Sequence, residues 1–210
     1  RRGRTICSKP GPMGTMNTTN GGRSMSFYRK LIVILAIFAG GGALANAAEL
    51  TDIRNYIEYS PTFASAGQPT REQLDLLPGA GFERVIYIAF SNGRIAIADE
   101  DAVIKELGMD YVHVPVIWDA PTKSDFYTFV SAMQSEPDRK PLLHCAANFR
   151  ASAFSFLYRV VHEGVPIATA KADMNKIWTP NQVWTDLIFE VLAENDISPD
   201  CEGCDWSVGE

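Results

Sequence analysis

Short apolar runs alternate with helical segments along much of this chain, and that alternation restricts the folds it can adopt. Runs rich in β-branched, aromatic or other apolar residues are predicted strands, at residues 82–90, 111–117 and 140–144. Segments with helix caps or helical composition are predicted helices, at residues 70–77, 99–107, 122–134, 151–162, 168–177 and 180–194. Strands that alternate with helices predict an α/β domain of three layers, in which helices flank a mostly parallel central sheet.

Capping residues mark the expected starts of three of these helices. Thr70 with Gln73, and Thr122 with Asp125, have the spacing of a capping box, in which each side chain satisfies a free amide at the helix start. Before the last helix, Thr179 is the expected N-cap because a proline follows it at the first helical position.

The first 47 residues have the composition of an export signal behind a leader. Residues 1–24 show no apolar period and are expected to be a flexible leader or upstream sequence translated by mistake, with Met25 as the natural start. Residues 25–47 combine a basic start, a short apolar run and an Ala-x-Ala end at Ala45–Ala47, the order of a secretory signal peptide. The stretch 31–45 is shorter than the roughly 20 residues of a membrane span. We therefore expect periplasmic or secreted protein with no stable membrane anchor after cleavage.

The remainder is predicted to form one domain over residues 48–196, followed by a polar tail over residues 197–210. Seven of the 19 Lys and Arg residues and none of the 25 acidic residues lie before residue 49, so the remainder has a formal net charge of −13. Such an acidic surface repels nucleic acid and anionic lipid, so neither is an expected partner.

Three cysteines follow the signal peptide. Cys201 and Cys204 lie close together in the tail, and we expect them to form a disulfide in an oxidising compartment. That pairing leaves Cys145 with an unpaired thiol, which marks it as a candidate reactive group. A redox role for the Cys201/Cys204 dithiol is a weaker alternative, because the pair does not follow a strand and open a helix.

Cys145 stands where a predicted strand gives way to a small-residue loop and a helix. In that arrangement the amides of the loop residues converge on one point and attract an anion; these residues are Ala146, Ala147, Asn148, Phe149 and Arg150. The same field favours the thiolate of Cys145, and Arg150 can hold a phosphate through two parallel hydrogen bonds. A thiolate below a bound phosphate is a nucleophile aimed at phosphorus.

His144-Cys145 followed by Arg150 resembles the HC-x5-R signature of the protein tyrosine phosphatase superfamily, in its dual-specificity-like branch. Residues 66–70 and 114–122 are also similar to the small bacterial phosphatases called beta-lactamase hydrolase-like. The resemblance implies a phosphatase that forms a phosphocysteine on Cys145, uses no metal or organic cofactor, and acts on a phosphorylated protein or a small phosphomonoester.

The resemblance also implies roles for three further residues. Asp119, on the loop after the second predicted strand, corresponds to the general acid that protonates the leaving oxygen and then activates water. Ser152, seven residues after Cys145, corresponds to the hydroxyl that assists the leaving thiolate, and His144 supports the loop. Asp125 is the weaker candidate for the acid, because its capping box already explains it.

The loop departs from the signature in two ways. Four residues, not five, separate Cys145 from Arg150, and Asn148 stands where the signature has glycine. Asn tolerates the left-handed backbone conformation better than most residues. A shorter loop moves the guanidinium, and a misplacement of ~1 Å can cost a hundredfold in rate. The alternative to an enzyme is therefore a module that binds phosphate or a phosphorylated ligand without turnover.

Export predicts a defined new N-terminus. We expect cleavage after Ala47, because this residue closes the Ala-x-Ala pattern behind the apolar run. N-terminal sequencing of the exported protein should begin at Ala48. Exported protein that begins at Met25 would show that the segment is not cleaved.

Overall fold

The computed structural model describes residues 49–209. The predicted leader at residues 1–24 and signal peptide at residues 25–47 lie outside the described residues. Between residues 49 and 209, no helix is both long enough and apolar enough to cross a membrane.

Within residues 49–209, five strands and six α-helices follow one another along the chain. The strands are β1 (Ile57–Ser60), β2 (Phe63–Ala66), β3 (Arg84–Tyr87), β4 (Asp110–His113) and β5 (Pro141–His144). The helices are α1 (Arg71–Leu74), α2 (Glu100–Glu106), α3 (Lys123–Ser135), α4 (Phe149–Val161), α5 (Ile167–Asn175) and α6 (Gln182–Glu194). Single 3₁₀ turns cover Leu50–Asp52 and Pro78–Ala80.

The strands form one sheet in the order β1-β2-β5-β3-β4. Strand β5 lies in the centre and pairs in parallel with both β2 and β3, and β4 continues the parallel sheet beyond β3. Only β1 runs antiparallel, as the first strand of a hairpin with β2. The predicted α/β class with a mostly parallel central sheet is confirmed.

Two apolar cores cover the two faces of this sheet. Neighbouring residues of β5 divide between them, because side chains alternate along a strand: Leu142 lies in one core and Leu143 in the other. Helices α1 and α2 contribute to the core that contains Leu142, while α3, α4, α5 and α6 contribute to the larger, aromatic core that contains Leu143. The three layers are therefore helices, sheet and helices, as the sequence predicts.

The structure corrects three local predictions. The β1–β2 hairpin was not expected from the sequence, because its strands, IEYS and FASA, contain only one β-branched residue. The N-cap of α6 is Asn181, not Thr179, because the Asn181 side chain accepts a hydrogen bond of 3.2 Å from the Trp184 amide. Helix α4 begins at Phe149, two residues before its predicted start. Phe149 and Arg150 therefore lie in the first helical turn and not in a loop.

The tail is attached to the domain through an aromatic side chain. Cys201 and Cys204 form the predicted disulfide, and Cys145 is the free cysteine among the described residues. Beyond the disulfide, the ring of Trp206 packs edge-on against Phe156 of α4 and Phe189 of α6, at centroid distances of 5.8 and 5.2 Å. The tail expected to be polar is thus fixed against the outer side of two helices.

Candidate functional site

Cys145 directly follows the central strand, where the carboxyl ends of three parallel strands meet. Its amide donates a hydrogen bond of 3.3 Å to the Ala66 carbonyl at the end of β2. The side chain is fully buried and forms part of the wall of a cavity of about 280 Å³. The cavity is lined by Trp118, Cys145, Ala146, Ala147, Phe149 and Arg150. The structure therefore brings the predicted nucleophile, the predicted phosphate-binding loop and the predicted arginine together at one opening.

The backbone of this loop has spare hydrogen-bond donors. Within the described part of the chain, none of the amides of Ala146, Ala147, Phe149, Arg150 and Ala151 donates a hydrogen bond. The last three belong to the first turn of α4, where amides have no partner inside the helix. Free amides and the positive end of a helix dipole together favour an anion. The cavity beside Cys145 is suited to a phosphate group.

Asn148 gives the loop its turn. Its backbone is left-handed, with φ 67° and ψ 1°, in the place where the signature has glycine. The side chain is buried, and its Nδ2 donates a hydrogen bond of 2.6 Å to the Asn55 carbonyl. Asn55 returns the contact, because its own Nδ2 donates to the Ala147 carbonyl at 2.9 Å. The two side chains thus join the loop to the segment before β1.

Gly67 allows the segment after β2 to approach the same loop. Its amide donates to the Arg54 carbonyl at 2.7 Å, and the next amide, from Gln68, donates to the Ala146 carbonyl at 3.2 Å. A β-carbon at Gly67 would lie 2.9 Å from the Arg54 carbonyl oxygen and 3.2 Å from that of Ala146. Only glycine fits between these two backbone segments without displacing one of them.

Arg150 carries a charge that is not neutralised by the protein. Its guanidinium lies over the indole of Trp118, with 5.5 Å from Cζ to the ring centroid. Among the described residues it has no carboxylate within 4.0 Å, and its buried Nε has no hydrogen-bond partner. The aromatic contact holds the guanidinium at the cavity while its N–H groups remain available for an anion.

Ser152 lies behind the loop and is buried. Its hydroxyl donates to the Phe149 carbonyl at 3.0 Å and accepts a hydrogen bond of 3.1 Å from the indole nitrogen of Trp178. The rings of Phe149 and Trp178 stack at 5.0 Å. Within the described residues Ser152 makes no hydrogen bond to the Cys145 sulfur, so the predicted assistance to the thiolate requires its hydroxyl to rotate away from Phe149.

A buried polar row supports the loop from the sheet. His144 is fully buried, and its Nε2 lies 3.0 Å from Oε1 of Glu100, a carboxylate that is only 2% exposed. The other carboxylate oxygen of Glu100 accepts from the Gln68 side chain at 3.2 Å. Sequence reasoning missed Glu100 and Gln68. A glutamate in the first turn of a helix is ordinarily solvent-exposed, so no pattern marked this one as buried.

The ring of Tyr87 continues this row on β3. It stacks on His144 at 4.6 Å and on His113 at 5.2 Å, because the three residues are register partners on adjacent strands. Burial, followed by the nearby charge of Glu100, raises the pKa of Tyr87 to about 12. Tyr87 therefore keeps its proton at neutral pH, and its hydroxyl donates a hydrogen bond of 3.0 Å to the Phe90 carbonyl.

Asp119 is the predicted site residue whose side chain the structure leaves exposed and outside the cavity wall, whereas the predicted His144, Asn148 and Ser152 are buried behind that wall. Asp119 follows Trp118, whose ring does line the cavity. The Trp118 carbonyl accepts a hydrogen bond of 3.0 Å from the Trp184 indole, which fixes the backbone next to Asp119. Asp125 caps α3 through the Thr122 amide and hydroxyl, at 2.9 and 2.8 Å, as its capping box predicts. Across residues 49–209, no cluster of three His, Cys, Asp or Glu side chains is arranged to hold a metal ion.

Known proteins resemble this chain in structure more than in sequence. No protein-family model and no curated protein sequence matches it. Among solved structures, it is similar to the "putative phosphatase (DUF442)" from Shewanella putrefaciens CN-32, with 34% identity, a TM-score of 0.64, and coverage of 70% of this chain and 96% of that one. It is also similar to TpbA of P. aeruginosa in complex with pTyr, with 20% identity, a TM-score of 0.51, and coverage of 61% and 75%. The second likeness shows a shared fold.

Two substitutions at position 148 separate backbone conformation from hydrogen bonding. Asn148→Gly and Asn148→Ala both lose the bond to the Asn55 carbonyl, but only alanine places a β-carbon in the left-handed conformation. We expect the alanine variant to be less stable than the glycine variant by about 1 kcal/mol, the cost of that conformation for an L-residue. Urea unfolding of both variants measures the difference. Equal stabilities would show that the left-handed turn is not imposed at this position.

Proposed function

The chain belongs to the DUF442 family within the protein tyrosine phosphatase superfamily, and we propose that it is a cysteine-dependent phosphatase that hydrolyses phosphomonoesters through a phosphocysteine. The observation that carries the proposal is the position of Cys145, at the wall of a cavity surrounded by free amides and by the unneutralised Arg150. These groups stabilise a phosphoryl dianion and a thiolate at the same place, where charge develops in the transition state.

In the first step, the Cys145 thiolate attacks phosphorus and the bond from phosphorus to the ester oxygen breaks. Arg150 and the amides of the loop hold the three remaining phosphoryl oxygens. The ester oxygen leaves with the electron pair of the broken bond and takes a proton from Asp119, so that the product is a neutral alcohol or phenol. Asp119 follows Trp118 at the cavity, which supports this assignment, although the carboxylate itself is exposed in this state.

In the second step, water attacks phosphorus and the phosphorus–sulfur bond breaks. The Asp119 carboxylate accepts the proton that water loses, and inorganic phosphate and the thiolate are restored. Ser152 donates to the leaving sulfur if its hydroxyl turns from the Phe149 carbonyl toward Cys145. The buried His144–Glu100 pair holds the end of β5 and so positions the sulfur.

An aromatic phosphomonoester, such as phosphotyrosine or a similar compound, suits the walls of the cavity. Trp118 and Phe149 line it, and aromatic rings pack well against a phenyl group. The export pattern of residues 25–47 supports a periplasmic or secreted location for this activity.

Replacing the nucleophile should separate binding from turnover. Cys145→Ser should eliminate the hydrolysis of p-nitrophenyl phosphate, because a serine hydroxyl is not ionised at neutral pH, while phosphate affinity is retained. Arg150→Ala should weaken phosphate binding and lower kcat by ~10²–10³. Arg150→Lys is the matched control, since it keeps the charge but loses the two parallel hydrogen bonds.

Steady-state rates and calorimetric titration with phosphate or vanadate test both expectations. A wild type that binds vanadate tightly but turns over no aryl phosphate would favour the binding module without catalysis. A wild type that binds neither anion would disprove the phosphate site itself.

The general acid can be tested through the leaving group. Asp119→Asn should lower kcat ~10²–10⁴-fold for alkyl phosphates, because their leaving oxygen needs a proton. The decrease should be much smaller for p-nitrophenyl phosphate. Asp125→Asn is the control, because this carboxylate caps α3 and lies on the same segment. A uniform loss on both kinds of substrate, or an equal loss in the Asp125 variant, would assign the acid to another group.

A further inference from the structure

A second cavity of about 310 Å³ adjoins the one beside Cys145. Ala146 and Arg150 line both cavities, so the two share a wall. The second cavity is closed on its other sides by Arg54, which precedes β1, and by the segment after β3 that contains Arg94. Neither arginine has a role in the phosphoryl transfer described above.

These arginines differ from the other basic side chains of the domain. Of the twelve Lys and Arg residues in residues 49–209, seven pair with carboxylates: Arg71, Lys105, Lys123, Arg139, Lys140, Arg159 and Lys176. Arg84 donates to the Ala132 carbonyl and to Ser135, and Lys171 lies over the ring of Trp206.

The remaining three are Arg54, Arg94 and Arg150, and all three line the second cavity. Within the described part of the chain, none of their guanidinium groups has a carboxylate within 4.0 Å or donates a hydrogen bond. In a domain with an excess of carboxylates, three unpaired guanidinium groups around one space are a site for an anion. Their mutual repulsion is relieved when an anion is bound.

The backbone holds both added arginines at fixed positions. The Arg54 carbonyl accepts the Gly67 amide at 2.7 Å, and Gly67 lies against the loop at Ala147. Arg94 lies in a turn closed by a hydrogen bond of 3.0 Å from the Ala96 amide to the Gly93 carbonyl, and the turn before it is closed by the Gly93 amide, which donates to the Phe90 carbonyl at 3.0 Å. The Tyr87 hydroxyl donates to that same carbonyl. Both arginines therefore project from backbone segments that are held by hydrogen bonds, Arg94 from two consecutive turns in the connection between β3 and α2.

Apolar groups complete the wall of the cavity. Phe90 and Ile95 line it and are 42% and 44% exposed, although large apolar side chains at the surface are few in this domain. Tyr87 forms the part nearest the sheet. An apolar wall between charged groups fits the carbon framework of an organic molecule whose charges lie at its ends.

We propose that this cavity, the Arg54/Arg94 pocket, binds a second phosphate of the substrate, so that the enzyme acts on small molecules that carry two phosphate groups. The inference rests on the proposed phosphatase function and names its substrate class. The Cys145 loop and Arg150 hold the phosphate to be cleaved. Arg54 and Arg94 supply two positive charges for the other, which matches the charge of a phosphate dianion. The shared Arg150 requires the two phosphates to be close together in one molecule.

A set of matched aryl phosphates tests this proposal. Phenyl phosphate carries one phosphate, and the 1,2-, 1,3- and 1,4-isomers of phenylene bisphosphate add a second at increasing distance on the same ring. We expect at least one isomer to have a kcat/KM roughly tenfold or more above that of phenyl phosphate, chiefly through a lower KM. The reason is that charge-assisted hydrogen bonds from the arginines to the second phosphate are stronger than hydrogen bonds between neutral groups. The preferred isomer measures the spacing of the two sites. Raising the ionic strength should reduce the preference.

Variants assign the preference to the pocket. Arg54→Gln and Arg94→Gln should each reduce the ratio of the two kcat/KM values by roughly five- to tenfold. Lys176→Gln removes the same charge from a lysine that pairs with Asp173 on the surface, and should leave the ratio unchanged. Calorimetric titration of Cys145→Ser with the same compounds gives the corresponding affinities without turnover.

The outcomes separate the inference from the function on which it rests. If phenyl phosphate is hydrolysed in a Cys145-dependent manner and no bisphosphate is preferred, the phosphatase function stands and the second site is wrong. If nothing is hydrolysed but Cys145→Ser binds a bisphosphate more tightly through Arg54 and Arg94, the site stands and the activity is wrong. A phosphotyrosine peptide with a flanking acidic residue serves as a further test substrate. If its kcat/KM exceeds that of phenyl phosphate by as much as the bisphosphates' does, the pocket would be assigned to protein substrates and the proposed class overturned.

Discussion

The hydrogen bond from Asn148 to the Asn55 carbonyl holds the turn on which the site depends. Strand β5 ends at His144 and α4 begins at Phe149, so the chain changes from strand to helix within four residues. The left-handed backbone of Asn148 is the last step of that change. Because the turn is this short, α4 already begins at Phe149, and its free amides lie beside the sulfur. A glycine could adopt the same conformation, but it could not make the bond that fixes it.

A row of polar and aromatic side chains supports the Cys145 loop from the side of the sheet. His144, Tyr87 and His113 stack across three strands, and the buried Glu100 lies against His144. Burying a carboxylate is costly unless it is paired or hydrogen-bonded. The Gln68 side chain donates a hydrogen bond to one oxygen of Glu100, and Nε2 of His144 lies 3.0 Å from the other oxygen. The backbone amide of Gln68 donates to the Ala146 carbonyl. The polar row therefore connects helix α2 to the loop that follows Cys145, although Glu100 itself does not line the cavity.

The α/β class, strands β3, β4 and β5 and most helices could be predicted from the sequence, because apolar and β-branched runs and capping boxes are local patterns. The position of Cys145, the small loop residues and Arg150 around one opening was also predictable, since these residues occur in a fixed order at the end of a strand. The β1–β2 hairpin was not, because its strands contain small and polar residues and only one β-branched residue. Asn181 as N-cap was missed because a proline beside Thr179 gave a competing signal. Glu100 and the pocket arginines depend on tertiary contacts between distant segments, which no local pattern encodes.

The shared guanidinium of Arg150 has a thermodynamic consequence. Two ligands that contact the same group cannot bind independently, so an occupant of one cavity changes the affinity of the other. By linkage, that change is the same factor in both directions. In the proposed reaction, the inorganic phosphate beside Cys145 and the remaining phosphate of the organic product would be such a pair of ligands. The time for which each product stays bound would then depend on whether the other has left, so that Arg150 would influence the order of product release.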